Sequence, residues 1–321
     1  MKRSACLIFN PVAGKRNPDQ DLCKIQALLE PEFNLDIWLT TKEVDAAQLT
    51  RKAIAQKAST IIVSGGDGTV SEAAGELIKT NIPLGVIPGG TANALALALE
   101  IPNTIEEACQ TILEGETRTI DISRCNKKPM VLLAGVGFEA EVVEKANRDI
   151  KNQFGSLAYF LAGFQQLSEF ETFEAKIEAD EEIITVTAAA VTVANIAPPT
   201  SFLAHGGAEM VFDDGLLDLT IVAPQDQLSA IAASYQLIQS AFQRKSGEYE
   251  DIGYLQARRI KVTAHPPQKV VLDGEVTDTT PIEVECIPGG LTVFVPMSEK
   301  EKVLKKLEKF TEGELTVKPK R

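Results

Sequence analysis

Ile61-Ile62-Val63-Ser64-Gly65-Gly66-Asp67-Gly68-Thr69 is the stretch that decides how this chain is read. Thr60–Ser64 is β-branched and largely apolar, as a buried strand should be, and it runs straight into glycines. Glycine accepts positive φ and has no Cβ, so Gly65, Gly66 and Gly68 let a ligand approach the backbone. Val70–Lys79 then has helical spacing, so consecutive peptide N–H groups and the helix start would form a nest for an anion. Thr69 adds a hydroxyl, and Asp67 a carboxylate for Mg²⁺, held directly or through water. A tight turn with a capping acid is the plainer alternative. Glycine density this high, with an acid among the glycines, favours phosphate. No Lys-Ser/Thr follows, so this is not a Walker A loop, and the GxGxxG spacing of a dinucleotide fingerprint is absent.

Working outward, the first third alternates short apolar runs with helical stretches, the pattern of βα units on a parallel sheet. Strands are expected at Ala5–Phe9, Leu35–Leu39, Thr60–Ser64 and Pro83–Ile87, and helices at Pro18–Leu29, Asp45–Lys57, Val70–Lys79 and Ala92–Leu99. Loops that follow parallel strands gather at one sheet edge, where ligands of open α/β sheets bind. Two of them join the glycine loop there. Asn10-Pro11-Val12-Ala13-Gly14-Lys15-Arg16 offers an amide, backbone donors and two cations. Pro88-Gly89-Gly90-Thr91-Ala92-Asn93 offers a second glycine pair, a hydroxyl and an amide at a helix start. Either alone is as well read as a turn; three on one edge strengthen one another.

After Asp121 the segments become short and β-branched: Met130–Gly135, Phe173–Ala179, Ile183–Ala194, Leu217–Val222, Arg259–Ala264, Lys269–Leu272, Ile282–Cys286 and Leu291–Val295. Turn residues part most of them, which predicts an antiparallel sheet or sandwich. Helices are expected over Leu157–Glu169 and Gln227–Gln243. The fold class is thus an α/β N-terminal domain with a parallel sheet, over residues 1–122, and a β-rich, sandwich-like C-terminal domain, over 123–297. The boundary is placed near Asp121–Lys127, and an amphipathic closing helix within 298–321 is expected to pack back on the first domain.

A length of 321 residues fits two domains, and 44% hydrophobic with 24% charged residues is an ordinary globular composition. The net charge of −13 speaks against nucleic acid as partner and against broad adhesion to anionic membranes. Cys6, Cys23, Cys109, Cys125 and Cys286 are odd in number and form no CxxC pair, so they read as reduced, mostly buried thiols of a cytoplasmic protein. No secretory signal is read at the start and no run spans a bilayer, so a lipid would be met from water, peripherally, at the inner membrane face. His205 and His265 lack a third ligand at metal spacing and read as surface or packing residues, and Trp38 as core.

NPxxG, GGDGT and GTxN, in this order, resemble the diacylglycerol kinase catalytic domain, in its bacterial branch related to sphingosine and ceramide kinases. Asp213-Asp214-Gly215-Leu216-Leu217-Asp218 and Val271-Leu272-Asp273-Gly274-Glu275 resemble two further signatures of that family. The resemblance implies an ATP-dependent lipid kinase, with Mg²⁺, acting on diacylglycerol or a related lipid. It implies ATP contacts from Asn10, Pro11, Val12, Ala13 and Gly14; Thr40 or its neighbour Thr41; Gly65, Gly66, Asp67, Gly68, Thr69, Val70, Ser71 and Glu72; and Thr91 and Asn93. Asp67 and Asp121 would organise the catalytic Mg²⁺ and its water, and Glu275 would accept the proton. Asp214 with the carbonyls of Val211 and Leu216 would hold a second, structural Mg²⁺. Read without the resemblance, Asp273-Gly274-Glu275 is a hairpin turn and Asp213-Asp214-Gly215 a loop.

Two positions depart from the bacterial pattern: Ala13 where Ser is frequent, and Ala94 where an acid often follows the asparagine. An NAD kinase-like enzyme shares the glycine loop, but no Asn-Glu dipeptide follows to grip a nicotinamide ribose. A catalytically silent nucleotide- or lipid-binding regulator is favoured only by Ala94. A homodimer is compatible with the sequence but not specified by it.

Overall fold

The structure is a computed structural model describing residues 2–14, 17–114, 116–138, 140, 171–198, 204, 211–224 and 251–297. Its first half is a set of βα units. Strands β1 (Arg3–Phe9), β2 (Phe33–Leu39), β3 (Thr60–Gly65) and β4 (Leu84–Pro88) lie parallel in the order β2-β1-β3-β4. Strands β3 and β4 are buried throughout, which is why they read as unbroken apolar runs. Helix α1 (Pro18–Leu29) starts at Asn17, whose side chain accepts from the N–H groups of Asp19 and Gln20, with proline in the first turn. Helix α2 (Ala46–Ala55) is capped by Asp45, which accepts from Gln48 N–H. Helix α3 (Asp67–Leu77) begins inside the glycine loop, and the short α4 (Ala94–Ala98) begins at Asn93 in the left-handed conformation.

Three features lie outside the sequence reading. Helix α5 (Ile105–Glu114) buries Ile105, Ala108, Cys109 and Ile112, a clear three-and-four spacing, on the core. Strand β5 (Glu116–Cys125) runs through the stretch expected to carry the boundary. Finally, Ile282–Cys286 and Leu291–Val295 are one strand, β16 (Ile282–Val295), whose register with β5 shifts between Ile287 and Leu291. The Pro288-Gly289-Gly290 run that reads as a turn is a bulge within a continuing strand.

Strand β16 carries the parallel sheet into the second half. It pairs parallel with β4 at Val293↔Leu84, and antiparallel with β5 and with β13 (Arg259–His265). Beyond β13 come β8 (Phe173–Ala179) and β9 (Glu182–Ala188), while β6 (Lys128–Met130) pairs with β5, which makes a ten-stranded sheet. A second, six-stranded antiparallel sheet has the order β12 (Ile252–Ala257), β11 (Leu217–Val222), β10 (Ala190–Ala194), β7 (Leu133–Gly137), β14 (Lys269–Leu272) and β15 (Glu275–Thr279). Phe173, Ile177, Ile260, Val262 and Val284 of the first sheet share a core with Val136, Val191, Val193 and Leu219 of the second. This is the sandwich. Alternation marks its outer strands: β13 buries Ile260, Val262 and Ala264 and exposes the residues between them. The expected strand Ile183–Ala194 is two strands in different sheets, parted at Ala189.

The expected helices Leu157–Glu169 and Gln227–Gln243, the closing helix within 298–321, and His205, Lys15 and Arg16 lie outside the described residues. All five cysteines are free, four buried and Cys23 exposed. Burial pushes the Cys6, Cys109 and Cys286 thiols up to about 12, so they behave as small apolar side chains. Trp38 is half-buried rather than core, with Lys52 Nζ 4.4 Å from its ring centre.

Candidate active site

The three loops do meet. Asn10 N–H donates to the Ser64 carbonyl at 2.9 Å, and Gly89 N–H to the Gly65 carbonyl at 2.8 Å. Their contact is too close for side chains: a Cβ on Gly14, where φ is +70°, would stand 2.4 Å from the Gly89 carbonyl oxygen. A Cβ on Gly90 would stand 2.7 Å from Gly66 Cα. Glycine is required at both by backbone approach. A cleft at this edge is lined by Phe9, Asn10, Ala13, Ser64, Pro88 and Gly89, together with Pro18, Asp21 and Ile105.

Asn10 is oriented from both ends. Its Oδ1 accepts from Val12 N–H at 3.1 Å, so its Nδ2 must face the other way, and it donates to Thr69 Oγ1 at 2.8 Å. That bond uses the Thr69 oxygen as acceptor and leaves the hydroxyl proton to point elsewhere. Val12 is 85% exposed at the loop tip, with Pro11 and Ala13 beside it, whereas Val70 is buried and offers a ligand only its backbone. Thr40 N–H bonds the Phe9 carbonyl at 3.0 Å, which puts it at the same edge. The Thr41 hydroxyl is occupied in its own turn with Glu43 and Val44. Asn93 is occupied likewise, closing on Gly90 N–H at 2.8 Å, and the neighbouring Thr91 is exposed.

Asp67 opens α3 and faces the start of α4, where its carboxylate accepts from Ala94 N–H at 2.5 Å. Burial raises its pKa above the ordinary carboxylate value, against hydrogen bonds from the N–H groups of Ala94, Asn93, Asp67 itself and Leu95. No cation takes part among the described residues. Ala94 therefore serves Asp67 through its backbone, although it supplies no second acid. A divalent cation suits this donor set, one desolvated carboxylate beside the glycine loop. Among the described residues no group of three or more His, Cys, Asp and Glu is placed to hold a metal. Mg²⁺ does not need one, since it is usually held by one or two carboxylates together with substrate phosphates.

Glu275 arrives from the other half of the molecule. Strands β14 and β15 are joined by Asp273 and Gly274 alone, at φ of +48° and +88°, the two-residue turn with positive φ at both positions that Asp-Gly favours. Glu275 is the first residue beyond that turn, and its Oε1 lies 3.9 Å from where a Cβ on Gly68 would be. It also repels Glu72, whose pKa is raised by burial first, then by Asp45 and Glu275. Gly68 and Glu72 are one helical turn apart, so the hairpin tip docks on one face of α3. The glycine loop and the candidate base thus stand side by side.

Asp121 sits elsewhere. Both its carboxylate oxygens are engaged, one with Gly215 N–H at 2.6 Å and one with Gly289 N–H at 2.7 Å, and its own N–H bonds the Phe212 carbonyl. No described hydrogen bond joins it to Asp67; it holds the loop carrying Val211, Asp214 and Leu216. There Asp214 accepts from Leu216 N–H at 3.0 Å and from Gln256 Nε2 at 3.3 Å. Asp218, buried below, accepts from Gln256 and from the Tyr254 hydroxyl. One carboxylate with two backbone carbonyls is a donor set that hard cations accept when water completes it.

Residues 4–125 match the diacylglycerol kinase catalytic domain family, and residues 133–295 match the YegS C-terminal NAD kinase beta sandwich-like domain family. The chain belongs to the diacylglycerol kinase family. A diacylglycerol kinase of Bacillus subtilis is 29% identical over 319 residues, covering 94% of this chain and 99% of the relative. An uncharacterized protein of Synechocystis is 47% identical over 302 residues, covering 91% and 70%. The crystal structure of a diacylglycerol kinase from Bacillus anthracis superposes with a TM-score of 0.76 at 29% identity, covering 91% and 97%. Membership supports a lipid kinase and accords with the α/β half followed by a β sandwich.

Sequence reasoning gave no role of their own to two residues that brace these loops. Asn195 is buried and donates to the carbonyls of Asp121 and Val131, while its own Oδ1 has no protein partner. Asp273 accepts from the N–H groups of Val131, Leu132 and Leu133. Nothing local marks Asn195. For Asp273, the demand for an acid in a turn was visible, but its partners were not.

Proposed function

We propose that this protein is an Mg²⁺-dependent lipid kinase that moves the γ-phosphoryl group of ATP to a hydroxyl of diacylglycerol or a related lipid. The observation that carries this reading is the Glu275 carboxylate standing beside Gly68 of the phosphate loop. Phosphoryl transfer asks chiefly for positioning and charge neutralisation, with a carboxylate to take the acceptor's proton.

The backbone N–H groups of Gly14, Gly66, Gly68, Thr69 and Thr91 would bind the triphosphate, with the Thr69 proton turned to a phosphate oxygen because Asn10 occupies its Oγ1. Asn10, Val12 and Gly90, whose N–H groups are taken within the loops, would shape the site. Asp67 would hold Mg²⁺, which when bound neutralises phosphate charge and draws electrons from the γ-phosphorus. Glu275 takes the proton of the lipid hydroxyl as that oxygen forms its bond to the γ-phosphorus. The bond to the bridging oxygen then breaks and ADP leaves. Because Glu275 is exposed, it can return its proton to water. Asp214, with the carbonyls of Val211 and Leu216, would hold a second Mg²⁺, in a loop that Asp121 fixes. No helix among the described residues is long and apolar enough to cross a membrane; in this reading the lipid is met at a membrane surface.

Incubating the protein with γ-labelled ATP, Mg²⁺ and either mixed lipids or NAD, followed by phase separation, tests the reading. Label in the organic phase is expected, and strongest with diacylglycerol. Label in the aqueous dinucleotide alone would assign an NAD kinase. No transfer despite Mg²⁺-dependent ATP binding would make the protein a regulator.

A further inference from the structure

Asp273 touches neither the phosphate loop's glycines nor the cleft, yet it is the most heavily bonded side chain of the hairpin. One oxygen accepts from Val131 N–H at 2.9 Å, and the other from Leu132 at 2.8 Å and Leu133 at 3.2 Å. Its own N–H donates to the Leu133 carbonyl at 3.0 Å. The Ser71 hydroxyl lies beside that carboxylate and lowers its pKa against the burial that raises it, and Ser71 belongs to α3, three residues after Gly68. The hairpin tip is therefore tied at once to the crossover between β6 and β7 and to the helix that begins in the phosphate loop. Two more residues of the same helix face fit this docking. Gly68 faces Glu275, and a Cβ on Gly75 would stand 2.6 Å from the Pro129 ring. Positions 68, 71, 72 and 75 form one stripe of α3, and the second half of the molecule closes on it.

A carboxylate with this many donors is more than a turn former. Its backbone is held at positive φ, where a non-glycine residue is uncommon, so the local conformation needs outside support. Three peptide N–H groups supply it. Glu275 follows two residues later, on a strand whose five residues are all exposed, so its side chain is not held by burial in a core. We infer that Asp273, clamped by the 131–133 peptide N–H groups with Ser71 of α3 beside it, is a positioning residue that holds Glu275 against the phosphate loop. The inference rests on reading Glu275 as the base. In-line transfer is sensitive to the placement of its base, and a displacement of about 1 Å costs on the order of a hundredfold in rate.

The test is a set of variants read by kcat, by KM for ATP, and by unfolding midpoint. Ser71→Ala removes the hydroxyl beside Asp273 and leaves the turn otherwise intact. It is expected to lower kcat by roughly tenfold with KM for ATP nearly unchanged, and Ser71→Thr, which keeps a hydroxyl, to regain most of the loss. Asp273→Asn turns an NH₂ group toward a peptide N–H donor and is expected to lower kcat by about a hundredfold. Combined with Glu275→Gln it should cost nothing further, because Asp273 acts through Glu275. If Asp273→Asn fails to fold, the Ser71 pair carries the test alone. A rise in KM for ATP at constant kcat in Ser71→Ala would show that Ser71 serves the nucleotide instead, and would overturn the inference. So would wild-type kcat in Ser71→Ala, or in a folded Asp273→Asn, alongside an inactive Glu275→Gln. Wild-type turnover in Glu275→Gln would instead remove the base assignment itself, a separate failure.

Discussion

Asp67 holds a charge where burial disfavours one, and its pKa is raised accordingly. A raised carboxylate pKa means protonation begins at higher pH than for an ordinary aspartate, whose value is 3.8. Mg²⁺ binds only the charged form. Affinity for Mg²⁺, measured with a non-hydrolysable ATP analogue, should therefore weaken as pH falls through a midpoint above 3.8. Saturating Mg²⁺ should move that midpoint down, and Asp67→Asn should remove most of the binding. A midpoint indifferent to Mg²⁺ would place the cation elsewhere. At this scale the site was partly legible. Asp67, Asn10 and Thr69 stand out because glycines and strand ends surround them. Glu275 and Asp214 emerged only through the family resemblance, since Asp-Gly-Glu and Asp-Asp-Gly are also plain turns. Asp121 too was named only through the resemblance, as a partner of Asp67, and its bonds to Gly215 and Gly289 were not legible because those residues lie 94 and 168 positions away.

At the scale of elements, α3 is the piece on which the two halves meet. A glycine inside a helix costs about 1 kcal/mol against alanine, so propensity alone predicts that Gly75→Ala stabilises. The Pro129 ring reverses that sign: its Cγ and Cβ lie 2.6 and 2.8 Å from the added methyl, and a proline ring has little room to give. Gly75→Ala should lose about 1–3 kcal/mol in urea unfolding, and β6 should shift away from α3. A gain in stability would mean that the contact is looser than described. Gly14→Ala should weaken ATP binding, read by titration with a fluorescent analogue, because the added methyl meets the Gly89 carbonyl at positive φ. The parallel strands and helices α1 to α4 were legible from hydrophobic period and caps. Strand β16 was not, because a Pro-Gly-Gly run signals a turn and only the pairing with β5 shows it to be a bulge.

At the scale of the whole molecule, a strand rather than a linker joins the two halves. Strands β5 and β16 run from the parallel sheet into the sandwich, and Asp121 fastens their bulge to the 212–216 loop. Asp121→Asn would set an NH₂ against one of two peptide donors in a buried place. It should cost about 1–3 kcal/mol in denaturant unfolding and reduce any Mg²⁺-dependent rise in stability. Composition gave no hint of this continuity, since a change from βα units to short strands looks the same whether or not a sheet is shared. The central claim is that both halves are needed to bring a proton acceptor to a bound triphosphate. Its most direct measurement is turnover by Glu275→Gln on Mg-ATP and diacylglycerol, with the ATP dissociation constant determined on the same preparation. The account predicts a loss of turnover of about 10²–10⁴-fold with ATP affinity nearly unchanged. Turnover at the wild-type rate would contradict it.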